Sequence, residues 1–207
     1  MDTTTVLKPQ DFLSYYSMVE AAKVGPSKLL LETLALIDGD SRISNPALAV
    51  DLGCGTGKDT AELLRRKWQV LAIDFCKEGI EGVLLRPEAT QFKDKLEARV
   101  ATFDETSWSG ATLVAALLSL PYCPPDKFAW NWASVVSSLV PGGYFVGNFF
   151  GHDHLQGTSH IVRCSRNDVE TMLAGLEVIR LEEDHRDTRD GDGSQYHYFD
   201  VIARKAA

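Results

Sequence analysis

The segment 48–57, Leu-Ala-Val-Asp-Leu-Gly-Cys-Gly-Thr-Gly, constrains the fold of this chain more than any other. An apolar run ends in Asp51, and glycines then occupy alternate positions at Gly53, Gly55 and Gly57. Glycine is needed where the backbone takes a positive φ or approaches a ligand closely. The pattern therefore predicts a strand, a tight loop and the start of a helix.

The glycine spacing excludes two common nucleotide-binding loops. A dinucleotide loop has Gly-x-Gly-x-x-Gly, but its third glycine position falls on Lys58. A P-loop needs a glycine five residues before Gly57 and Ser or Thr after the lysine, yet Leu52 and Asp59 stand there. What remains is an acid-x-Gly-x-Gly-x-Gly loop, followed by a second acid, Asp74, at the end of the next apolar run.

Apolar runs and helical spacings alternate along the chain. We expect helices near 11–22, 26–37, 58–65, 75–84, 128–139 and 166–173, and strands near 47–51, 69–73, 98–101, 111–117, 144–150, 176–181 and 196–203. Such alternation predicts a parallel sheet with right-handed crossovers. No helix separates the last two strands, so the final strand is expected to run antiparallel.

Composition restricts the partners and the compartment. The 207 residues, 44% hydrophobic and 24% charged, suit one globular domain. A net charge of -8 disfavours nucleic acid and anionic membranes, since phosphate contacts require Lys and Arg. The four scattered cysteines predict free thiols, and no signal peptide or membrane-spanning run is evident. We therefore expect a cytoplasmic protein with a small-molecule substrate, either a monomer or a homodimer.

The glycine loop and Asp74 together resemble the class I S-adenosylmethionine-dependent methyltransferases. The later Leu-Val-Pro-Gly-Gly at 139–143 falls in that family's order, and segments 118–123, 141–151 and 196–205 are similar to bacterial tellurite-resistance and thiopurine-type enzymes. The resemblance implies an α/β fold with a Rossmann-like seven-stranded, mostly parallel sheet, its last strand antiparallel and helices on both faces. The domain would span 1–207, with a helical lid at 1–46 and the core at 47–207.

The resemblance implies S-adenosylmethionine as the cofactor, bound at the carboxyl edge of the sheet. The loop backbone would approach the methionyl part, and Asp74 would accept the ribose hydroxyls. Phe75 and Phe103 would pack against adenine, and Asp104 would take its amino group unless it only caps a helix. The predicted cofactor residues are Asp51, Gly53, Cys54, Gly55, Gly57, Asp74, Phe75, Phe103, Asp104 and Leu118.

Methyl transfer needs alignment above all, and a general base only if the acceptor must lose a proton. The candidate catalytic residues are Tyr16, Tyr122, His152, His154 and His197. Packing is the alternative for the tyrosine of the first helix, and surface or hydrogen-bonding roles are the alternative for the histidines. A zinc site at His152, Asp153, His154 and His160 would lack a firm third ligand, and a calcium loop at 190–193 would lack its later Glu, so no metal is expected.

Methyl transfer to a small molecule is the predicted function, with a thiol, chalcogen, hydroxyl or amine acceptor left open. The family's small-molecule members carry an aromatic or His/Asp pair and then Trp after the fifth strand. This chain has His152-Asp153-His154-Leu155 there, with no Trp following at the expected place, which leaves the acceptor undecided. The alternatives are a protein or peptide methyltransferase and a non-catalytic cofactor-binding partner. A nicotinamide oxidoreductase is disfavoured because it would need glycine at Lys58.

Overall fold

The computed structural model describes residues 7–41, 43, 47–155, 161–187 and 195–206. The strands are β1 Leu48–Leu52, β2 Gln69–Asp74, β3 Leu96–Val100, β4 Ala111–Ala116, β5 Leu139–Phe150, β6 Leu176–Asp187 and β7 Gln195–Lys205. The helices are α1 Leu13–Ala21, α2 Lys28–Asp38, α3 Lys58–Arg65, α4 Lys77–Leu85, α5 Pro87–Gln91, α6 Pro125–Ser138 and α7 Arg166–Met172. Short 3₁₀ helices lie at Pro9–Phe12, Lys93–Lys95, Phe103–Glu105 and Leu120–Tyr122.

The strands form one seven-stranded sheet in the order β3-β2-β1-β4-β5-β7-β6. The first five strands pair in parallel, and β7 lies antiparallel between β5 and β6. This confirms the predicted α/β, Rossmann-like class with its antiparallel last strand. The strand order reverses between β1 and β4, and such switch points are where open α/β sheets bind ligands, outside the carboxyl ends of the strands.

Apolar cores cover both faces of the sheet. On one face, α6 and α7 pack against β4, β5 and β7, and the Trp132 ring lies 4.9 Å from Phe145 and 5.4 Å from Phe149. On the other face, Leu30 and Leu34 of α2 are fully buried beside α3 and the central strands. The helix α2 is thus part of the core, and the lid role predicted for 1–46 stays a prediction for α1.

Two strands are longer than their apolar patterns predict. β5 begins at Leu139 and not near residue 144, so Pro141-Gly142-Gly143 lies within the strand. The pairing of β5 with β4 is irregular there, with a register shift between Ala111 and Leu113. β6 continues to Asp187 through an unbroken run of charged and polar residues, because it is an edge strand that pairs with β7 along its length. Within the described segments, no helix combines the length and the apolar character that crossing a membrane would require.

Candidate functional site

A cavity of about 1140 Å³ opens at the carboxyl ends of β1, β2, β4 and β5. Ligand pockets for one small molecule usually measure roughly 300–1,000 Å³. The cavity is therefore large enough for two ligands side by side. The glycine loop and Asp74 line one part of it, and a set of aromatic side chains lines another.

The glycine loop takes the predicted backbone conformation. Gly53 has φ 70°, and a Cβ added there would lie 2.3 Å from the Cβ of Ser119. Gly55 has φ 52°, and its Cβ would lie 3.2 Å from the Tyr16 ring. The N–H groups of Gly53 and Cys54 both donate to the carbonyl of Ile73. The loop is thus tied to β2, with no room for a side chain at Gly53 and little at Gly55.

The carboxylate of Asp74 is oriented by the glycine loop. Its Oδ1 accepts the N–H of Cys76 and its Oδ2 accepts the N–H of Gly55, both at 2.8 Å. Asp74 is only 2% exposed. Burial raises its pKa above the usual value, although the donated hydrogen bonds act in the opposite direction. The side chain is an acceptor held ready at the edge of the cavity.

Tyr16 of α1 lies across this carboxylate. Its hydroxyl donates to Asp74 at 3.1 Å and 3.2 Å from the two oxygens. Burial, with the negative charge of Asp74, raises the pKa of Tyr16 far above its usual value. Glu20, one turn further along α1, accepts hydrogen bonds from Thr56 and Arg86. The helix is thus fastened to the glycine loop at two points.

Asp51 serves the architecture and does not line the cavity. Its Oδ2 accepts the Thr60 hydroxyl at 2.6 Å, which holds α3 against the end of β1. Burial and the nearby charge of Asp59 raise the pKa of Asp51 to about 7. The structure therefore separates this acid from the cofactor residues with which the sequence grouped it, because its side chain turns toward α3.

Aromatic rings form the second part of the cavity. Phe12 meets Phe75 and Tyr122 edge to face, with centroids 5.3 Å apart in both pairs. Tyr122 meets Phe150 at 5.2 Å, and Tyr198 lies beyond Phe150 at 5.7 Å. Burial raises the pKa of Tyr122 to about 12, so its hydroxyl stays protonated at neutral pH. We call this set the aromatic wall: Phe12, Tyr122, Phe150, Tyr196 and Tyr198.

His154 is a neutral donor beside the aromatic wall. Its ring stacks on Phe150 with centroids 3.9 Å apart and an interplanar angle of 11°. Nδ1 accepts the N–H of His197 at 3.2 Å, so the ring proton resides on Nε2. Burial lowers the pKa of His154 to about 4. In this tautomer the imidazole can donate a hydrogen bond but cannot act as a base through Nε2.

The charges around the cavity are mainly negative. Among the described residues that line it, Lys58 is the one Lys or Arg, and its ammonium group lies 2.7 Å from Asp59. Five aspartates line the same cavity: Asp11, Asp59, Asp74, Asp104 and Asp126. An anionic ligand would thus find little to pair with.

The structure brings most of the predicted site residues together. Lining the cavity are Tyr16, Gly53, Cys54, Gly55, Asp74, Phe75, Phe103, Asp104, Leu118, Tyr122 and His154, whereas Asp51, Gly57, His152 and His197 do not line it. His197 lies on the face of β7 opposite Tyr196 and Tyr198, because strand side chains alternate. His152 is exposed. His160 and the loop 190–193 lie outside the described residues.

The sequence prediction missed much of the aromatic wall. The sequence pattern places Phe150, Tyr196 and Tyr198 in strands but predicts no role for them in the site. The signal was present in β7, since Tyr-His-Tyr at 196–198 places both tyrosines on one face and the histidine on the other. Phe12 reaches the wall from the segment before α1, which only the packing of that segment reveals.

Comparison with known proteins agrees with this geometry. Residues 49–143 match a family described as "Methyltransferase domain". No curated protein sequence matches the chain.

Several solved structures share the fold. The Burkholderia thailandensis 1,6-didemethyltoxoflavin-N1-methyltransferase, solved with 1,6-didemethyltoxoflavin and S-adenosylhomocysteine, is 18% identical at a TM-score of 0.66, with 96% of this chain and 87% of that chain covered. TehB from Haemophilus influenzae is 13% identical at a TM-score of 0.66, covering 83% of this chain and 61% of that one. The Haemonchus contortus phosphoethanolamine N-methyltransferase 2 with S-adenosyl-L-methionine is 13% identical at a TM-score of 0.69, covering 98% and 61%.

These identities are low, so the structural likenesses speak for the fold alone. The matched family region runs from β1 to Gly143 and includes both the glycine loop and Asp74. It thus contains the elements that carry the resemblance in the sequence. The chain therefore contains a methyltransferase domain and has the fold of S-adenosylmethionine-dependent methyltransferases.

Proposed function

We propose that this enzyme methylates a small, uncharged aromatic molecule on an atom that attacks without first losing a proton, such as a ring nitrogen or an amine. The aromatic wall beside the glycine loop carries this proposal. Flat rings pack well against edge-to-face and stacked aromatic side chains. The fastened helix α1 also encloses the cavity, which favours a small metabolite over a peptide side chain.

The residues in the part of the cavity lined by the glycine loop and Asp74 fit S-adenosylmethionine. When bound, this cofactor supplies an activated methyl group on a sulfonium. Asp74 is a carboxylate whose two oxygens are already oriented by backbone N–H groups, as acceptance of two ribose hydroxyls requires. The Phe103 ring lies against Gly53, within 3.6 Å of where a Cβ would be. Asp104, held by the Thr102 hydroxyl at 2.9 Å, lines the same cavity and can accept an amino group.

Tyr16 competes for the acceptor that the ribose hydroxyls need. Its hydroxyl donates to both oxygens of Asp74. Cofactor binding at this carboxylate therefore requires the Tyr16 hydroxyl to withdraw. Either the Tyr16 ring rotates away, or the whole helix α1 moves and the hydrogen bonds of Glu20 break. Either movement would control access to the cavity.

In the part of the cavity lined by the aromatic wall, the side chains position the methyl acceptor and exclude water. Tyr122 and Tyr198 keep their protons because burial raises the pKa of each. His154 is neutral and offers Nε2–H to a carbonyl oxygen or a ring nitrogen of the acceptor. These groups donate hydrogen bonds and do not remove protons. The rate enhancement would come from alignment of the acceptor with the methyl group.

The first test is calorimetric titration with S-adenosylmethionine and S-adenosylhomocysteine. We expect both to bind the natural enzyme, and Asp74→Asn to weaken binding at least tenfold, since one carboxylate oxygen is replaced by a donor. Asp94→Asn is the matched control, because Asp94 is exposed and does not line this cavity. Equal affinity in the Asp74→Asn variant would contradict the assignment of the ribose site.

The second test is an acceptor screen that measures S-adenosylhomocysteine formation. Neutral heteroaromatic amines and ring nitrogens should be methylated, whereas phosphoethanolamine should not, since the described lining of the cavity offers an anion only Lys58, already paired with Asp59. Phenols and thiols complete the panel. Turnover confined to phosphorylated or carboxylated acceptors would overturn the proposed substrate class.

A further inference from the structure

A group of metal-binding side chains lies outside the cavity, on the opposite face of β7 from the aromatic wall. Asp153, His185 and His197 each offer one ligand atom, and these atoms all lie within 4.8 Å of one another. They come from three elements: the turn after β5, the strand β6 and the strand β7. None of the three lines the cavity.

Strand pairing produces this group. His185 and His197 are direct partners in the antiparallel β6–β7 pair, and their ring centroids are 3.8 Å apart. His197 Nε2 lies 3.0 Å from the Glu183 carboxylate, and Nδ1 lies 3.7 Å from that of Asp153. Nδ1 also accepts the backbone N–H of Asp153 at 3.4 Å, which leaves the ring proton on Nε2, beside Glu183. Histidine ligands in zinc proteins are oriented in the same way, by a carboxylate at the nitrogen that does not bind the metal.

The His197 ring is held in place from behind. A Cβ at Gly151 would lie 2.2 Å from it, so the ring occupies the space that a side chain there would need. His197 is buried, whereas His185 is exposed and can rotate. The group thus combines one fixed imidazole with one adjustable imidazole and a carboxylate from the turn.

We propose that Asp153, His185 and His197 bind a divalent transition metal ion, with Zn²⁺ the best match. Two imidazoles and one carboxylate form a donor set typical of zinc, whereas Ca²⁺ and Mg²⁺ prefer oxygen ligands alone. Ligands of a tetrahedral zinc ion are roughly 3.3 Å apart at bonds of about 2.0–2.1 Å. The side chains need therefore close by no more than about 1.5 Å. Glu183 serves either as the fourth ligand or as the hydrogen-bond acceptor of His197.

The metal ion would join the turn after β5 to the β6–β7 hairpin. That turn carries His154, and β7 carries Tyr196 and Tyr198. The ion would therefore stiffen two segments that line the proposed acceptor site, from the opposite face of β7. Its role is structural, and it does not depend on the acceptor proposed above. The sequence offered His152, Asp153, His154 and His160 as zinc candidates and led us to expect no metal; of the three that the structure describes, only Asp153 belongs to the group.

The test uses untagged, chelator-treated protein, since a polyhistidine tag would itself bind zinc. Titration with ZnSO₄ should give one ion per chain and a higher midpoint of thermal unfolding, whereas MgCl₂ and CaCl₂ should leave the midpoint unchanged. Co²⁺ should give the visible absorption of a tetrahedral site. A natural enzyme that binds no Zn²⁺ stoichiometrically would overturn the proposal.

Variants separate a metal site from a hydrogen-bonded cluster. His185→Gln should weaken Zn²⁺ binding at least tenfold and keep the fold, because His185 is exposed. Glu183→Gln should weaken it by about tenfold to a hundredfold, as second-sphere changes typically do. His152→Gln is the control, since His152 is exposed in the same turn and outside the group. Equal Zn²⁺ affinity in His185→Gln and His152→Gln would contradict the assigned ligands.

Discussion

Removing the Tyr16 hydroxyl should strengthen cofactor binding, which is the reverse of what loss of a site residue usually does. In the structure this hydroxyl donates to Asp74, the carboxylate proposed to accept the ribose hydroxyls. Tyr16→Phe keeps the ring that packs against Gly55 and removes only the competing donor. The Cys76 and Gly55 N–H groups continue to orient the carboxylate.

The expected magnitude follows from the geometry. A hydrogen bond to a charged group contributes about 1.5–3 kcal/mol. Tyr16 shares its proton between two oxygens at 3.1 Å and 3.2 Å, longer than the usual O–H···O distance, so the lower value of about 1.5 kcal/mol applies. Tyr16→Phe should therefore lower the Kd for S-adenosylhomocysteine about tenfold. The free enzyme should lose about the same free energy of unfolding.

Calorimetric titration measures the first quantity and urea unfolding measures the second. Tyr15→Phe is the matched control and should change neither quantity. Tyr15 is the exposed neighbour of Tyr16 on the same helix and also lines the cavity, so the comparison isolates the hydrogen bond from Tyr16 to Asp74. A Kd that is unchanged or higher in Tyr16→Phe would refute the competition. It would mean that the hydroxyl supports the bound cofactor or plays no part.

Three further predictions concern pH and packing. Asp51 has a pKa of about 7 in the folded protein and an ordinary low pKa in the unfolded chain, so the free energy of unfolding should fall as the pH rises from about 4 to 7. Asp51→Asn should remove this pH dependence and raise the free energy of unfolding at pH 8 by up to about 4 kcal/mol. Urea unfolding at several pH values measures both effects. His154→Gln should raise the acceptor KM about tenfold, because it removes the Nε2–H donor of the ring, and should leave the pH profile of kcat unchanged. Loss of a kinetic pKa near 6.5 in this variant would show instead that His154 acts as a base. His152→Gln is the control. Gly53→Ala should destabilise the fold more than Gly110→Ala by thermal unfolding, since both glycines have φ near +70° but only the first would place its Cβ 2.3 Å from a serine; equal losses would mean that backbone strain alone matters.

The glycine loop and the position of Asp74 were predictable because both depend on sequence patterns that act over a few residues. A positive φ at Gly53 and Gly55 follows from the glycine spacing, and an acid at the end of β2 meets that loop in any parallel sheet of this kind. The strand β4 was also predictable, from its long apolar run. The charged half of β6 was not predictable, because it forms a strand only by pairing with β7 and has no apolar pattern in the sequence.

The sequence by itself determined the fold class of this protein, an α/β sheet with a glycine-rich loop after its first strand. It did so because glycine spacing and the strand and helix periods act over only a few residues. The tertiary structure decided what the other side chains do. It moved Asp51 out of the cavity, turned Tyr16 onto Asp74, and assembled the aromatic wall from segments far apart in the chain. It also brought Asp153 to His185 and His197 behind that wall. These contacts depend on strand register and on which face a residue occupies, and both are set by pairing between distant segments.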